Sequence, residues 1–229
     1  MLQLFFVEDI NSLELIGDNA HHAERVLRMK VEEHLLISDG KGAWAKCIIK
    51  KIDKKKVSLS LIESGHEEKS EIQIDVLQAL TKNDRAKEAV ELLTAAGVHK
   101  IIPWHSARSI GKESDKWESA AIEAAKQTRR FYIPKVHKRV NTSDAAKLFS
   151  EYEQILICHE SALTAISDVV KPVKRTLIVI GPEGGLDDNE LLEFQSAGGK
   201  VIKLGRPILR SAHAGIAAVS AASALMKVW

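Results

Sequence analysis

Cysteine is scarce in this sequence. Its two cysteines, Cys47 and Cys158, stand far apart among apolar neighbours. They build neither a disulfide framework nor a metal site, and they fit a reducing, cytoplasmic setting. Long apolar runs are missing as well: nothing approaches the roughly 20 residues that a membrane-spanning helix needs. The opening MLQLFFVEDINS lacks a basic leader and a small-residue cleavage site, so no signal peptide is expected. Charge of one sign is not in excess. The formal net charge is +2, so an acidic partner has to be argued from local clusters. Two phosphate-binding signatures, G-x-x-x-x-G-K-[ST] and G-x-G-x-x-G, are absent. His21 and His22 have no further ligands at metal spacing, and His159 and His213 have no partnered nucleophile. Neither a metal centre nor a hydrolytic triad is read from them.

What is present is an ordinary globular composition, 45% hydrophobic and 28% charged over 229 residues, enough for one large or two modest domains. The first part reads as mainly β. QLFFVED is a short strand, and Asp18 or Asn19 is placed to cap a helix through HHAERVLRM. HLLIS, AWAKCIIKKI and KVSLSLI read as strands joined at DGKG and DKKK, and several short strands with tight turns suggest a small barrel. The polar, aperiodic ESGHEEKSE, residues 63–71, reads as the boundary between domains spanning 1–70 and 72–229.

From residue 72 strands and helices alternate. IQIDVLQAL, KIIPW, ILICHE, TLIVIG and KVIKLG are near-continuous apolar runs, the mark of a parallel sheet covered on both faces. Between them lie a helix opened by Asp84 and closed by Gly97, a helix over 114–130 capped by Ser114, and the helix DNELLEFQSAG. The last helix, SAHAGIAAVSAASALMKVW, is rich in small residues and suits close packing, whether in the core or at a dimer contact. Trp104, Trp117 and Trp229 read as core or interface anchors.

Ligands of open α/β sheets sit beyond the carboxyl ends of the strands. Three strand ends here are unusual: Cys158-His159-Glu160, the glycine-rich Gly181-Pro182-Glu183-Gly184-Gly185 after Ile180, and Leu204 to Arg210. Asp187, Asp188 and Glu190 follow the glycine turn, and Asp187 with Glu190 has the spacing of a capping box. Acidic residues at a helix N-terminus oppose a phosphate but tolerate a neutral or cationic ligand. An adenosine-type cofactor bearing a sulfonium fits that description. A tight turn followed by an acidic helix cap accounts for the same residues equally well.

IGPEGGLDDNE and LGRPILRSAHAG, following EAAKQTRRFYIP, resemble the signature of the ribosomal RNA small subunit methyltransferase E family, and HHAERVLRMKVEEHLLISDGKG resembles its N-terminal domain. The resemblance runs over nearly the whole chain. It implies a mainly β, PUA-like RNA-binding domain followed by an α/β SPOUT domain with a trefoil knot. It also implies a homodimer that uses S-adenosyl-L-methionine to methylate N3 of a uridine in the decoding region of 16S rRNA, in the small ribosomal subunit. His159, Glu160, Ile180, Gly181, Pro182, Glu183, Gly184, Gly185, Leu204, Gly205, Ile208 and Leu209 are then the expected cofactor contacts. The sequence departs from the family at Ala95 and Ala212, where glutamate is common. A SPOUT enzyme with another RNA target, and a non-catalytic RNA-binding assembly factor, are the alternatives.

The N3 of uracil is a poor nucleophile until its imide proton leaves, and charge then spreads over O2, N3 and O4. Arginine suits that charge, which singles out Arg210 and Arg130. Glu123, Gln127 and Arg130 share one face of the helix over 114–130, and the family pattern places Gln127 and Arg130 at the site. A solvated helix end is the plain reading of the same pair. Glu183 is a conceivable proton acceptor. For RNA, the candidates are His22, Arg25 and Arg28 with Lys50, Lys51 and Lys54 of the lysine-rich hairpin. Those lysines read alternatively as an edge-strand guard, and His22 as a helix-packing residue. Lys135, His137, Lys138 and Arg139 form a further basic segment.

Overall fold

The computed structural model describes residues 2–111 and 115–229. The chain forms two compact units, one comprising residues up to Lys69 together with Ala125–Ile133, the other Ser70–Ala124 with Pro134–Trp229.

The first unit is a five-stranded sheet of order β1-β3-β4-β5-β2, formed by β1 (Gln3–Phe6), β2 (Glu14–Ile16), β3 (His34–Ser38), β4 (Ala43–Asp53) and β5 (Lys56–His66). β1 pairs parallel with β3, and the other ladders are antiparallel. Alternation along these strands buries Leu35, Ile37, Cys47, Ile49 and Val57 on one face. β4 is interior, between β3 and β5, so its lysines do not guard a sheet edge. β5 runs to His66, so residues 63–66 pair with β4 rather than forming linker. At the Asp39-Gly40 turn Asp39 Oδ1 accepts from the amides of Lys41 (2.7 Å) and Ala43 (3.1 Å), with Gly40 at φ +72°.

The helix α1 (Gly17–His21) continues as a π-helical turn, His22–Val26. Neither Asp18 nor Asn19 caps it. The N-cap is Ile16, without a side-chain bond, and Asn19 Nδ2 instead donates to the Phe6 carbonyl at 2.7 Å, tying the helix to β1. The segment 125–133 joins this unit through Gly42 N–H to the Phe131 carbonyl (3.0 Å) and stacking of Trp44 on Phe131 (5.5 Å between centroids).

The second unit is a six-stranded, wholly parallel sheet of order β11-β9-β10-β6-β7-β8. Its strands are β6 (Gln73–Ala79), β7 (Lys100–Trp104), β8 (Lys135–Val136), β9 (Gln154–Cys158), β10 (Arg175–Ile180) and β11 (Lys200–Ile202). Their alternation feeds two cores. Ile74, Val76, Leu156, Ile178 and Ile180 face one side, where they pack with α2 (Asn83–Ala95) and α7 (Ser211–Leu225). Leu77, Ala79, Ile157, Leu177 and Val179 face the other, with α4 (Thr142–Leu148) and α6 (Asp188–Ser196). Both faces are therefore dry, as continuous apolar strands require. Trp104 and Trp117 are core residues, whereas Trp229 is 66% exposed.

Helix ends differ in detail from their sequence signals. Lys82, not Asp84, is the N-cap of α2, and Asp84 lies in the first turn. At the other end Gly97 (φ +92°) donates to the Thr94 carbonyl and Val98 to Leu93, closing the helix as expected. α3 (Trp117–Thr128) stops short of residue 130. Arg129 takes the left-handed conformation, φ +55°, and the Arg130 amide turns back to the Ala125 carbonyl. Arg130 is thus off the helix and does not continue the face of Glu123 and Gln127. The expected cap Ser114 lies outside the described residues.

Candidate cofactor crevice

The carboxyl ends of β9, β10 and β11 lead into three loops. The third is stitched to the first: Lys203 N–H donates to the Thr164 carbonyl (2.8 Å), and the amide of Ile166, first residue of the short α5 (Ile166–Val169), donates to the Lys203 carbonyl (3.1 Å). Between the loops lies a crevice of about 520 Å³. The first loop lines it with Cys158, His159 and Glu160, the second with Gly181, Pro182, Glu183, Gly184, Gly185 and Leu186 after Ile180. The third adds Lys203, Leu204, Gly205, Arg206, Pro207, Ile208, Leu209 and Arg210. All twelve expected cofactor contacts, and Arg210, are brought together here.

Sequence reasoning missed Arg85, Ser211 and Ala214, which also line the crevice. Arg85 follows the carboxyl end of β6, so the strand-end rule applied to a fourth strand would have found it. Its Nη1 lies 3.2 Å from Glu183 Oε1 across the crevice. Arg108, also missed, donates from Nη1 to the carbonyls of Gly184 (2.9 Å) and Leu186 (3.3 Å), holding the glycine loop from outside. No local signal marks it.

The acidic cluster proves to be structural. Asp187 Oδ1 accepts from the Glu190 amide at 2.7 Å while Glu190 Oε2 accepts from the Asp187 amide at 3.2 Å, a complete capping box. Glu190 is buried, and its Oε1 also accepts from the Ala107 amide (2.7 Å) and Thr142 Oγ1 (3.0 Å). None of Asp187, Asp188 and Glu190 lines the crevice. Its charged lining is Glu160 and Glu183 against Arg85, Lys203, Arg206 and Arg210. The expected repulsion of phosphate by acidic walls therefore does not hold, because Asp187 and Glu190 are engaged in the helix cap and the exposed Asp188 lies outside the crevice lining.

Recognition falls instead to the backbone. The N–H groups of Leu204, Gly205, Arg206, Ile208 and Leu209 donate to no other backbone group among the described residues. Glycine at 185 and 205 leaves the main chain open to a ligand, whereas a Cβ at Gly181 would meet Leu186 Cδ1 at 2.5 Å and one at Gly184 would meet Arg108 Cβ at 3.4 Å. His159 is locked: the Ser161 amide donates to its Nδ1 (3.3 Å), so the neutral ring carries its proton on Nε2. Burial pushes the Cys158 thiol up to about 12, so it remains protonated and is no nucleophile at neutral pH.

Known proteins resemble the chain over nearly its whole length. Residues 68–223 match a family described as an RNA methyltransferase domain, and residues 15–62 an RNA methyltransferase PUA domain. Ribosomal RNA small subunit methyltransferase E of Mycobacterium bovis is 30% identical over 243 aligned positions, covering 99% of this chain and 93% of its own length. The chain belongs to the ribosomal RNA small subunit methyltransferase E family. The Bacillus subtilis methyltransferase E is 29% identical over 95% of this chain and 91% of its own. A crystal structure of the Neisseria gonorrhoeae methyltransferase E bound to S-adenosyl methionine shares the fold, with a TM-score of 0.89 at 24% identity over 98% of each chain.

The remaining residues expected to act lie in the first unit. His22, Arg25, Arg28, Lys50, Lys51 and Lys54 are all exposed there. Lys50 pairs with Glu32 (3.6 Å), Lys51 with Asp53 (2.8 Å) and Arg25 with Glu24 (3.3 Å), and the His22 ring meets Phe5 edge-on. Gln127 is exposed, whereas Arg130 is half-buried. Desolvation lowers the Arg130 guanidinium to about 10, opposed by Glu67, so it stays charged at neutral pH. Among the described residues no group of three metal-ligating side chains occurs, and no helix is long and apolar enough to cross a membrane.

Proposed function

We propose N3 of a uridine in the decoding region of 16S rRNA as the methyl acceptor. The chain is an S-adenosylmethionine-dependent methyltransferase of small-subunit ribosomal RNA, as its family and fold indicate. The observation that carries the reading is the crevice itself, where glycine-opened backbone and uncommitted amides meet at three parallel-strand ends. Such groups recognise adenine and ribose edges without a formal charge. S-adenosylmethionine supplies an electrophilic methyl carbon on a sulfonium. Leu204, Gly205, Ile208 and Leu209 would hold it from one side, and Gly181 to Gly185 from the other, with His159 Nε2–H a donor at the mouth. Arg210, exposed at the N-cap of α7, offers a permanent cation to the charge that develops over the uracil imide. Gln127 and Arg130 are assigned to the RNA side of the reaction, with Arg28 and Lys54 supplying salt-dependent phosphate attraction.

We further assign residues 1–70 to RNA docking and 72–229 to catalysis, with the segment before α7 threaded as a trefoil knot. The cytoplasm is the proposed compartment, and a homodimer the working form. α7 supports the dimer: beyond its buried face, Leu225 (43%) and Trp229 (66%) are left exposed. A second reading, a different RNA target, is favoured by Ala212, which is buried where relatives commonly carry glutamate. Methylation of small ribosomal subunits lacking the modification, followed by mass spectrometry of the nucleosides, tests the proposal. N3-methyluridine at one decoding-region position is expected, and methyl transfer to any other atom or position refutes it.

A further inference from the structure

Gln78 sits in an apolar row. Ile74 and Val76 on the same face of β6, and Leu80 just beyond its end, belong to the core beneath α7, and Gln78 itself is wholly buried. A buried amide in such a row is costly unless its bonds do something specific. Its Nε2 lies 3.2 Å from the Ala79 carbonyl and 3.0 Å from Ser211 Oγ. A carbonyl only accepts, so the Ala79 contact fixes which end of the amide carries the hydrogens. Ser211 Oγ in turn lies 2.6 Å from the Gly181 carbonyl, which also only accepts. The direction of the chain is therefore determined at both ends: Gln78 donates to Ser211, and Ser211 donates to Gly181.

The three residues come from different elements. Gln78 is on the central strand β6, Ser211 is the first residue of α7 directly after the third crevice loop, and Gly181 begins the second loop. Ser211 spends its hydroxyl proton on Gly181 rather than within its own helix. Room for the amide is kept by Gly215, where a Cβ would come within 3.4 Å of Gln78 Oε1 and 2.9 Å of Leu93 Cδ2.

We propose that Gln78 and Ser211 are positioning residues that set the spacing between the two loops forming the crevice, and through it the affinity for S-adenosylmethionine. The proposal rests on the crevice being the cofactor site. Because the hydroxyl of Ser211 is already filled by Gln78, its proton has one destination, and the Gly181 peptide is held in one orientation. Neither residue is called on for the chemistry of methyl transfer.

The experiment measures steady-state methyl transfer and, separately, hydrogen exchange over residues 181–187 in the free protein, for wild type, S211A, S211T, Q78M and S211A/Q78M. Losing a buried bond and leaving a carbonyl unpaired predicts a KM for S-adenosylmethionine about 30-fold higher in S211A, with kcat within about 3-fold. S211T is expected to restore KM to within about 3-fold, and Q78M to raise it by about 5-fold. Adding Q78M to S211A changes little further, since one conduit is already cut. Exchange over 181–187 accelerates in S211A and Q78M without any ligand, so the tether is tested even if the wild type binds no S-adenosylmethionine, a result that would overturn the cofactor reading instead. Unchanged exchange, additive effects, or a loss carried by kcat overturns the proposal. Should S211A not fold, Q78M decides: KM and exchange both at wild-type levels refute the relay.

Discussion

The two ends of the six-stranded sheet handle polar groups in opposite ways. At the amino end Asp75 is buried, and its Oδ2 accepts from Tyr152 Oη at 2.8 Å, with Lys100 Nζ at 3.6 Å and Arg175 Nη2 at 3.9 Å. The Arg175 guanidinium also covers the Tyr152 ring, 4.8 Å from its centroid. Desolvation, then the Asp75 charge and hydrogen bond, push the Tyr152 phenol up, so it stays a donor. Charges there answer one another through Asp75 Oδ2, while the buried Oδ1 has no hydrogen-bond partner among the described residues. At the carboxyl end the amides of residues 204–206, 208 and 209 and the cations Lys203, Arg206 and Arg210 have no such closure among the described residues. One sheet thus carries a sealed end that serves stability and an open end kept for a ligand. Substitutions at the two ends should separate accordingly.

The largest effect is expected at the open end. Arg210→Ala should lower kcat by about 100- to 1,000-fold, the usual scale for removing one charge-stabilising donor. Melting temperature and calorimetric affinity for S-adenosylmethionine should stay near wild type. Full turnover in this variant would remove Arg210 from the chemistry. At the sealed end the signs reverse. Asp75→Ala leaves Tyr152, Lys100 and Arg175 without their shared acceptor, and urea denaturation should show a loss of roughly 2–3 kcal/mol, below the figure for a fully buried pair because both cations are partly solvated. Activity per folded molecule should not change. A kinetic defect without a stability defect would break the contrast.

Glu190→Gln tests an acidic residue that looks functional and is not. It weakens the capping box and the bonds to Ala107 and Thr142, a loss of about 1–2 kcal/mol in stability with affinity for S-adenosylmethionine preserved. Weaker binding at full stability would return Glu190 to the ligand. A further effect is invisible at neutral pH. Burial holds the Cys158 thiol at about 12 against an ordinary value of 9.0. Between those values the unfolded chain gives up a proton that the folded chain keeps, so stability falls as pH rises from 9.0 towards 12. Cys158→Ala should flatten the alkaline decline in urea midpoint while leaving its pH dependence unchanged below pH 9.0, apart from a constant offset for the lost packing. An unaltered slope would mean that the thiol does not titrate as its burial requires.

Much of this was legible in the residues. The parallel sheet followed from runs such as LIVI, because both faces are dry, and the crevice loops followed from glycines at strand ends. What escaped has physical reasons. Arg129 ends α3 in a left-handed conformation usually given to glycine, so nothing local announces the stop before Arg130. The parallel pairing of β1 with β3 and the joining of 125–133 to the first unit are long-range features with no periodic signature. For the acidic run after the glycine turn the sequence leaves a helix cap and a ligand-tolerant cluster equally open, because the two look alike until Asp187 and Glu190 are seen closing the capping box and Glu190 bonded to Ala107. Arg108 to Gly184, Gln78 to Ser211 and Ser211 to Gly181 bridge residues 76, 133 and 30 apart, beyond any motif.

Calorimetric titration of the free protein with S-adenosylmethionine, and in parallel with adenosine triphosphate, bears most directly on the open end of the sheet. One S-adenosylmethionine per chain, with a Kd on the order of micromolar, is expected, together with weaker binding of the triphosphate that falls away with added salt, since only the crevice cations Arg85, Lys203, Arg206 and Arg210 attract it. Saturable binding of the triphosphate in that crevice, with S-adenosylmethionine excluded, would contradict the account.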